Sequence, residues 1–78
     1  MTSLLRRKLL EENPRISIDP GIMGGAPTIK GTRIPVVLIL EMLEGGSDFK
    51  GIKAQYLVLS DRDLQAAIHF ISSVLAAA

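Results

Sequence analysis

The chain has 78 residues, a net charge of +1 from nine basic and eight acidic residues, and no cysteine. A single domain this small buries only about 60% of its unfolded surface, and the lack of cysteine, with one histidine, excludes disulfides and a structural metal as sources of stability. A hydrophobic fraction of 47% excludes a disordered chain, and the near-neutral charge is unlike that of a dedicated nucleic-acid-binding protein.

The first predicted element is a short helix over residues 2–12, in which Leu5 and Leu9 lie four residues apart. Its basic residues precede its glutamates, and this order opposes the helix dipole, so the isolated helix is expected to fray. The Asn13-Pro14 pair ends it. Because charges interrupt its apolar runs, the segment fits neither a signal peptide nor a membrane span, and we predict a cytoplasmic protein without membrane contact.

Extended structure is predicted next. Residues 15–19, RISID, alternate apolar and polar side chains, which is typical of a short strand. Two further extended pieces, TIK and RI, lie on either side of Gly31. Together they predict a small sheet or hairpin within residues 15–34.

The segment GGAPTIKGTRIPV, residues 24–36, has two interpretations, a phosphate-binding loop or a structural turn. A P-loop requires glycine before lysine and a buried strand leading into it, whereas Lys30 precedes Gly31 here and no such strand comes before the glycines. We therefore favour a turn, in which the glycines supply unusual backbone angles. Those glycines are Gly24, Gly25 and Gly31.

Residues 35–44 are predicted to form a helix, because Pro35 suits the first helical position and Gly45-Gly46 suits a C-terminal stop. The β-branched residues leave a strand as the alternative, but Glu41 and Glu44 would share one solvated stripe of a helix. The apolar residues cover more than one face, so this helix is either central or shared with a second subunit. We therefore predict a homodimer.

Two more helices are predicted towards the C-terminus. Ser47 or Asp48 caps a short one, which Gly51 weakens by about 1 kcal/mol relative to alanine. Ser60 and Asp63 approximate a capping box at the start of a longer one. The helical repeat predicts that the inward face of the longer helix comprises Leu64, Ala67, Ile68, Ile71 and Leu75.

No constellation of residues with catalytic chemistry stands out. Ser60 is better explained as a helix cap than as a nucleophile. His69 has no second histidine, cysteine or acidic pair at ligand spacing, so a solvated helix position explains it better than a metal site. We predict no enzyme activity, no metal and no cofactor.

The three consecutive helices after position 35 resemble a helix-turn-helix layout, with residues 61–75 as the recognition helix. The predicted DNA-binding residues are Lys30, Arg33, Lys50, Lys53, Arg62, Gln65 and His69. Asp61 and Asp63 would repel phosphates at that end of the helix. The alternatives are that the outer polar residues only solvate a small bundle, and that Arg33 forms a structural salt bridge with Asp19 or Glu41.

From Ile16 onward, about four fifths of the chain, the sequence resembles the domain-of-unknown-function 433 family (DUF433) of bacteria and archaea. The residues that carry the resemblance are Ile16, Asp19-Pro20, the string GG-x-P-x-I-x-G-T-R-I-P-V over residues 24–36, Gly46, Ile52, Tyr56, Leu59-Ser60 and Asp63-Leu64. Two positions depart from the family pattern. Leu57 stands where proline is usual, and Gly51 stands where glutamate is common, so the usual capping box of the short helix is missing.

The resemblance implies a mainly α, helix-turn-helix domain of winged-helix-like or homeodomain-like type, with three helices and a short N-terminal β-hairpin. We interpret residues 15–78 as this domain and residues 1–14 as an N-terminal extension. Family members look like antitoxins of type II toxin-antitoxin modules, commonly dimeric and often encoded beside a PIN-like ribonuclease toxin.

The function that the resemblance implies is a non-enzymatic antitoxin that binds and neutralises such a toxin and binds operator DNA for autoregulation. A stand-alone transcription regulator is the first alternative, and a small nucleotide-binding protein is a remote one.

The N-terminal extension is predicted to contact the toxin or a sister subunit rather than to fold into the core. Its leucines become ordered only by burial, and its basic cluster would suit an acidic nuclease site. The predicted partner-binding residues are Leu4, Leu5, Arg6, Arg7, Lys8 and Leu9. The alternative is a loose, leucine-rich tail.

Overall fold

The computed structural model describes residues 3–77, which form four α-helices and a two-stranded antiparallel hairpin. In chain order the elements are α1 (Ser3–Glu12), β1 (Ile16–Ser17), a 3₁₀ turn (Met23–Gly25), β2 (Thr28–Ile29), α2 (Val36–Glu44), α3 (Phe49–Gln55) and α4 (Asp61–Ala77). The prediction of a mainly α fold with a short hairpin is confirmed. Residue 2, the predicted start of the first helix, lies outside the described residues. Among the described helices, none combines the length and the apolar character needed to cross a membrane.

The hairpin is shorter than the sequence pattern predicts. Ile16 pairs with Ile29 and Ser17 pairs with Thr28. The alternating pattern continues to Asp19, but the chain turns there, because the Asp19 carboxylate accepts a hydrogen bond from the Gly21 amide at 2.8 Å. Both isoleucines are buried and attach the hairpin to the core.

The glycine-rich segment that follows is built of tight turns. Its glycines all have positive φ, 66° at Gly24, 86° at Gly25 and 82° at Gly31, as the turn interpretation predicts. Thr32 closes the last turn, since its hydroxyl donates to the Ile29 carbonyl at 2.7 Å and accepts from the Ile34 amide at 3.0 Å. The segment therefore directs the chain from β2 into α2.

α2 begins one residue later than predicted. Pro35 has ψ near 145°, which is extended rather than helical, and it is the N-cap of α2 instead of its first residue. The Val36 amide then donates to the Pro27 carbonyl at 2.8 Å, which ties the start of the helix to the preceding turn. Val36 and Ile39 are buried, whereas Val37 is exposed.

α4 is the central element and packs against α1, α2, α3 and β1. The core around it is aliphatic except for one phenylalanine. Its buried apolar residues are Leu9, Ile16, Ile29, Val36, Ile39, Ile52, Leu59, Leu64, Ala67 and Phe70.

The predicted inward face of α4 is partly wrong. Leu64 and Ala67 are buried as predicted, but Ile68 and Leu75 are 42% and 70% exposed. Phe70, which the predicted face omits, is only 2% exposed. The apolar surface of α4 extends further round the helix than its neighbours cover. The elements that pack on α4 bury the part of this surface that contains Phe70.

The expectation that the N-terminal segment stays outside the core is wrong for Leu9. α1 packs against α4, and Leu9 is 2% exposed within the core cluster. Asn13 is buried just after α1, and its Nδ2 donates to the Leu9 carbonyl at 2.8 Å and to the Ser73 hydroxyl at 3.3 Å. Tertiary burial supplies the stability that so short a helix lacks in isolation.

Candidate functional site

α4 begins with a reciprocal capping box, as predicted. The Ser60 hydroxyl oxygen accepts a hydrogen bond from the Asp63 amide at 3.2 Å. Asp63 Oδ2 in turn accepts from the Ser60 amide at 2.9 Å and from the Ser60 hydroxyl at 3.0 Å. These bonds satisfy groups at the start of the helix and occupy the Ser60 hydroxyl in capping.

Two ion pairs flank the capping box. Arg15 Nη1 lies 3.0 Å from Asp63 Oδ1, and Lys53 Nζ lies 2.7 Å from Asp61 Oδ1. Arg15 comes from the residue before β1 and Lys53 from α3, so two separate elements neutralise the aspartates of α4. The repulsion of phosphate expected from Asp61 and Asp63 is thereby reduced.

Most of the cations predicted to bind DNA lie around this end of α4. Lys30 is next to Arg15, because the Lys30 amide donates to the Arg15 carbonyl at 2.8 Å. Lys53 is the paired lysine of α3, and Lys50 precedes it by three residues on the same helix. Arg62 is exposed in the first turn of α4. We call Arg15, Lys30, Lys53 and Arg62 the cationic rim.

Arg33 lies apart from these ion pairs. It is exposed in the turn before α2, and neither of the ion pairs found among residues 3–77 includes it. The structural salt bridge to Asp19 or Glu41 is therefore not formed in the described chain.

The amides of the glycine-rich segment are largely used within the turns. The donors with their carbonyl acceptors are Gly25 to Ile22, Ala26 to Met23, Ile29 to Ile34, Lys30 to Arg15 and Thr32 to Ile29. A phosphate-binding loop needs such amides to converge on the ligand. The hydrogen bonding thus favours the structural turn over the phosphate-binding loop.

The remaining predicted DNA-binding residues lie along the outer face of α4. Arg62, Gln65 and His69 are exposed and follow one another at helical spacing. At its far end this face meets a groove of about 460 Å³ between α1 and α4. The groove is lined by both Lys8 and His69, so a predicted partner-binding residue and a predicted DNA-binding residue share one surface.

Burial and hydrogen bonding act in opposite directions on the Asp63 carboxyl of the capping box. Burial alone would raise the pKa of the Asp63 carboxyl, but the hydrogen bonds from the Ser60 amide and hydroxyl and the charge of Arg15 outweigh it. Together they hold the pKa of Asp63 below its ordinary value of 3.8. Asp63 is therefore a charged, structural group at neutral pH.

Replacing Asp63 by asparagine is expected to lower the free energy of unfolding at pH 7 by about 1 kcal/mol, through loss of the charged half of the capping box. Because folding lowers the pKa of Asp63, its carboxylate stabilises the folded state at pH values above the unfolded-state pKa. This contribution to stability is lost as pH falls through the folded-state pKa. The gap between wild type and Asp63→Asn should therefore shrink below about pH 4, measured by urea denaturation across pH.

The matched control is Asp61→Asn, which removes the partner of Lys53 from an exposed pair and should change stability by at most about 0.5 kcal/mol. Equal losses for the two variants at pH 7 would contradict the structural role of Asp63.

Two residues with long-range polar contacts, Arg15 at the capping box and Asn13 beside Ser73, are absent from the sequence-based set of site residues. The sequence pattern places Arg15 only on the polar side of a strand. Its ion pair depends on the position of Asp63, which is distant in the sequence. Asn13 reads as a helix stop, yet it is buried. Among residues 3–77, no group of histidine, cysteine, aspartate or glutamate side chains is arranged to hold a metal ion.

Comparison with known proteins places this arrangement in a family. The profile of the family described as "Protein of unknown function (DUF433)" matches residues 16–71. The chain belongs to the DUF433 family. The crystal structure of a DUF433 member protein from Anabaena variabilis ATCC 29413 is similar, with 32% sequence identity and a TM-score of 0.72, covering 92% of this chain and 75% of that one. A search of curated proteins found no match.

The DUF433 match includes the hairpin, α2, α3 and the cationic rim except Arg15, but not α1. The sequence resemblance predicts that α3 lacks the usual capping box. Asp48 caps it through a single bond from the Gly51 amide at 2.8 Å, and Gly51 has no side chain to return a second bond to the cap. α3 has only seven residues.

Proposed function

We propose that this DUF433 protein is a non-enzymatic, antitoxin-like regulator that binds a PIN-like ribonuclease toxin and operator DNA. The toxin and the antitoxin role rest on the family resemblance described above. The observation that carries the DNA-binding part is the cationic rim around the start of α4. In this proposal α3, residues 56–60 and α4 act as a helix-turn-helix, with α4 as the recognition helix.

The cationic rim suits phosphate contact better than the net charge of +1 on the whole chain suggests. Arg15 and Lys53 already balance the aspartates of α4, so Lys30 and Arg62 remain exposed without an acidic partner among the described residues. Arginine and lysine at such positions contact phosphates and orient a recognition helix. Gln65 and His69 then lie further along the exposed face, where base contacts would form.

Binding to the DNA upstream of the gene is expected to weaken steeply with salt. Replacing both Lys30 and Arg62 by alanine should lower the affinity about 10-fold or more and reduce the slope of log K against log salt by about 0.9 for each phosphate that the variant no longer neutralises. Fluorescence anisotropy with labelled duplexes measures both quantities.

Arg7→Ala, a change to an exposed arginine of α1, is the control and should leave DNA affinity unchanged. An operator affinity that stays constant between low and moderate salt would overturn the assignment of the rim. If DNA binding occurs without any interaction with the product of the neighbouring gene, the stand-alone transcription regulator becomes the correct function.

The exposed side of α1 supports the toxin-binding part. Leu4, Arg6, Arg7 and Lys8 are exposed, although Leu9 beneath them is buried. A basic surface on a helix that lies outside the family match suits contact with the metal-binding carboxylates of a nuclease. Of the predicted partner-binding set, these four residues are the accessible ones, and Leu5 is half-buried.

The combined charge reversal Arg6→Glu, Arg7→Glu and Lys8→Glu is expected to weaken inhibition of the neighbour-encoded ribonuclease by at least about 10-fold, through slower association. All three side chains are exposed on α1, and the buried Leu9 that packs within the core is unchanged, so the fold should persist. A ribonuclease assay with a melting curve measures both effects.

Lys50→Glu, a reversal on the exposed side of α3, is the control for this experiment. A triple variant that inhibits as well as wild type would show that α1 is not the toxin contact. Deletion of residues 1–12 is a poorer test of toxin contact, because it also removes Leu9 from the core.

A further inference from the structure

The turn between α3 and α4 carries two large apolar side chains that the fold leaves uncovered. Leu57 is 87% exposed and Val58 is 66% exposed. Among the described residues, they are the only large exposed apolar residues that are adjacent in the sequence. We call this pair the apolar tip. The tip contributes to neither the core nor the capping box.

The fold holds the tip in one hydrogen-bonded turn. The Leu59 amide donates to the Tyr56 carbonyl at 3.0 Å, so Leu57 and Val58 are the two central residues of a four-residue turn. Leu59 is buried and Tyr56 is half-buried, and these two residues anchor the turn on both sides. A tip that is already held in this way loses little conformational entropy when it binds another molecule.

Turn formation does not explain why these two residues are apolar. Such turns favour glycine, proline, asparagine, aspartate and serine, whereas residues 56–59 have the sequence YLVL. Burial does not explain the apolar tip either, because both side chains remain exposed. Contact with another molecule therefore explains the tip better than the fold does.

The charges on either side of the tip indicate what that molecule is. Lys53 Nζ lies 2.7 Å from Asp61 Oδ1, an ion pair that joins α3 to α4 across the turn. Lys50 and Arg62 are exposed on the same two helices, and neither belongs to an ion pair found among residues 3–77. A polyanion with apolar groups between its charges matches this arrangement. Duplex DNA is such a polyanion, because thymine presents its C5 methyl group in the major groove.

The position of the tip favours the same occupant. In the proposed DNA contact α4 is the recognition helix, and the first residues of such a helix approach base edges in the major groove. Only Leu59 and Ser60 separate the tip from α4. Leucine and valine side chains neither donate nor accept hydrogen bonds, so the thymine methyl group is the part of a major-groove edge that they can recognise.

We infer that the apolar tip selects thymine by contact with its C5 methyl group in the major groove, which makes Leu57 and Val58 specificity-determining residues. This inference rests on the proposed DNA-binding function and adds base selection to the phosphate contacts of the cationic rim. An anionic membrane also combines negative charge with apolar groups, but two side chains bury too little apolar area for stable anchoring.

Replacing thymine by uracil tests the inference, because it removes this methyl group and leaves base pairing unchanged. Wild type should bind the DNA upstream of the gene more tightly than the same duplex with deoxyuridine in place of thymidine, by about 4-fold for each methyl group that the tip contacts. The double variant Leu57→Ser, Val58→Ser should bind the thymidine duplex more weakly and should lose this discrimination. Fluorescence anisotropy with labelled duplexes measures the four affinities.

Val37→Ser is the matched control. Val37 is 55% exposed but lies on α2, so this variant should keep the wild-type preference for the thymidine duplex. Thermal unfolding of each variant should be cooperative, which shows that a change in affinity does not come from loss of the fold.

The outcomes separate the inference from the function on which it rests. If wild type binds neither duplex, the proposed DNA-binding function is wrong and the inference fails with it. Equal wild-type affinity for the two duplexes would overturn the inference alone and leave DNA binding in place. A preference for thymine that the double variant retains would also overturn it. If wild type but not the double variant sediments with phosphatidylserine vesicles, and no thymine preference is found, the tip contacts a membrane instead.

Discussion

Replacing Phe70 by alanine is expected to lower the free energy of unfolding by about 3–5 kcal/mol. Phe70 is 2% exposed and is the only aromatic residue in the buried core cluster of the described chain. It lies on α4, the helix on which α1, α2 and α3 pack, so the cavity cannot close by moving one element. A loss of about 3 kcal/mol corresponds to a fall of roughly 12–24 °C in the melting temperature of a domain this small.

Urea denaturation followed by circular dichroism measures this loss. Leu57→Ala is the control, because Leu57 is the most exposed of the large apolar residues of the described chain and its truncation should change stability by no more than about 0.5 kcal/mol. A Phe70→Ala variant as stable as the Leu57→Ala variant would mean that α4 buries a different face.

Asn13→Asp is the second substitution with a large expected effect, a loss of at least about 3 kcal/mol at pH 7. The buried Asn13 amide nitrogen donates to the Leu9 carbonyl at 2.8 Å, and a carboxylate there has no proton to donate. The substitution therefore buries a negative charge against a carbonyl oxygen. Because the bond from the Asn13 amide to the Ser73 hydroxyl and the buried Leu9 attach α1 to α4, the loss should include detachment of α1, measured as faster trypsin cleavage at Arg6 and Arg7.

The pH dependence of Asn13→Asp should be opposite in sign to that of Asp63. Burial raises the pKa of the introduced carboxyl above its unfolded value, so the variant is most stable when this group is protonated, and stability falls as pH rises through the folded-state pKa. The protonated acid can also donate one hydrogen bond to the Leu9 carbonyl.

Asn13→Ala is the control for this pH dependence. It removes the same donor without adding a charge and should be destabilised by about 1–2 kcal/mol at every pH. A penalty for Asn13→Asp that is equal at pH 4 and pH 7 would contradict the burial of this side chain.

Local sequence signals were sufficient wherever neighbouring residues decide the conformation. The Ser60–Asp63 capping box, the Asp48 cap and the positive φ of Gly24, Gly25 and Gly31 all involve residues within a few positions of one another. Their hydrogen bonds and steric preferences exist before the chain is compact, so the start of α4, the start of α3 and the turns before α2 were predictable from the sequence.

The candidate site was predictable only in part, because some of its contacts join residues that are distant along the chain. Lys30, Lys53 and Arg62 were named from charge and from the helix-turn-helix layout, without knowledge of their neighbours. The pairing of Arg15 with Asp63, and its position beside Lys30, join residues that are distant along the chain. No local pattern contains that information, because an ion pair requires the hairpin and α4 to be packed together.

The sequence by itself therefore determined which segments are helical, where they are capped and where the backbone turns, because these depend on local hydrogen bonding and sterics. The tertiary structure alone decided which part of a broad apolar surface is buried. α4 is apolar over more of its circumference than one neighbour can cover, and the packing of four elements on it buries Phe70 while Ile68 and Leu75 stay exposed. The same packing buries Leu9, because a short leucine-rich helix is stable only against a surface that the rest of the fold provides.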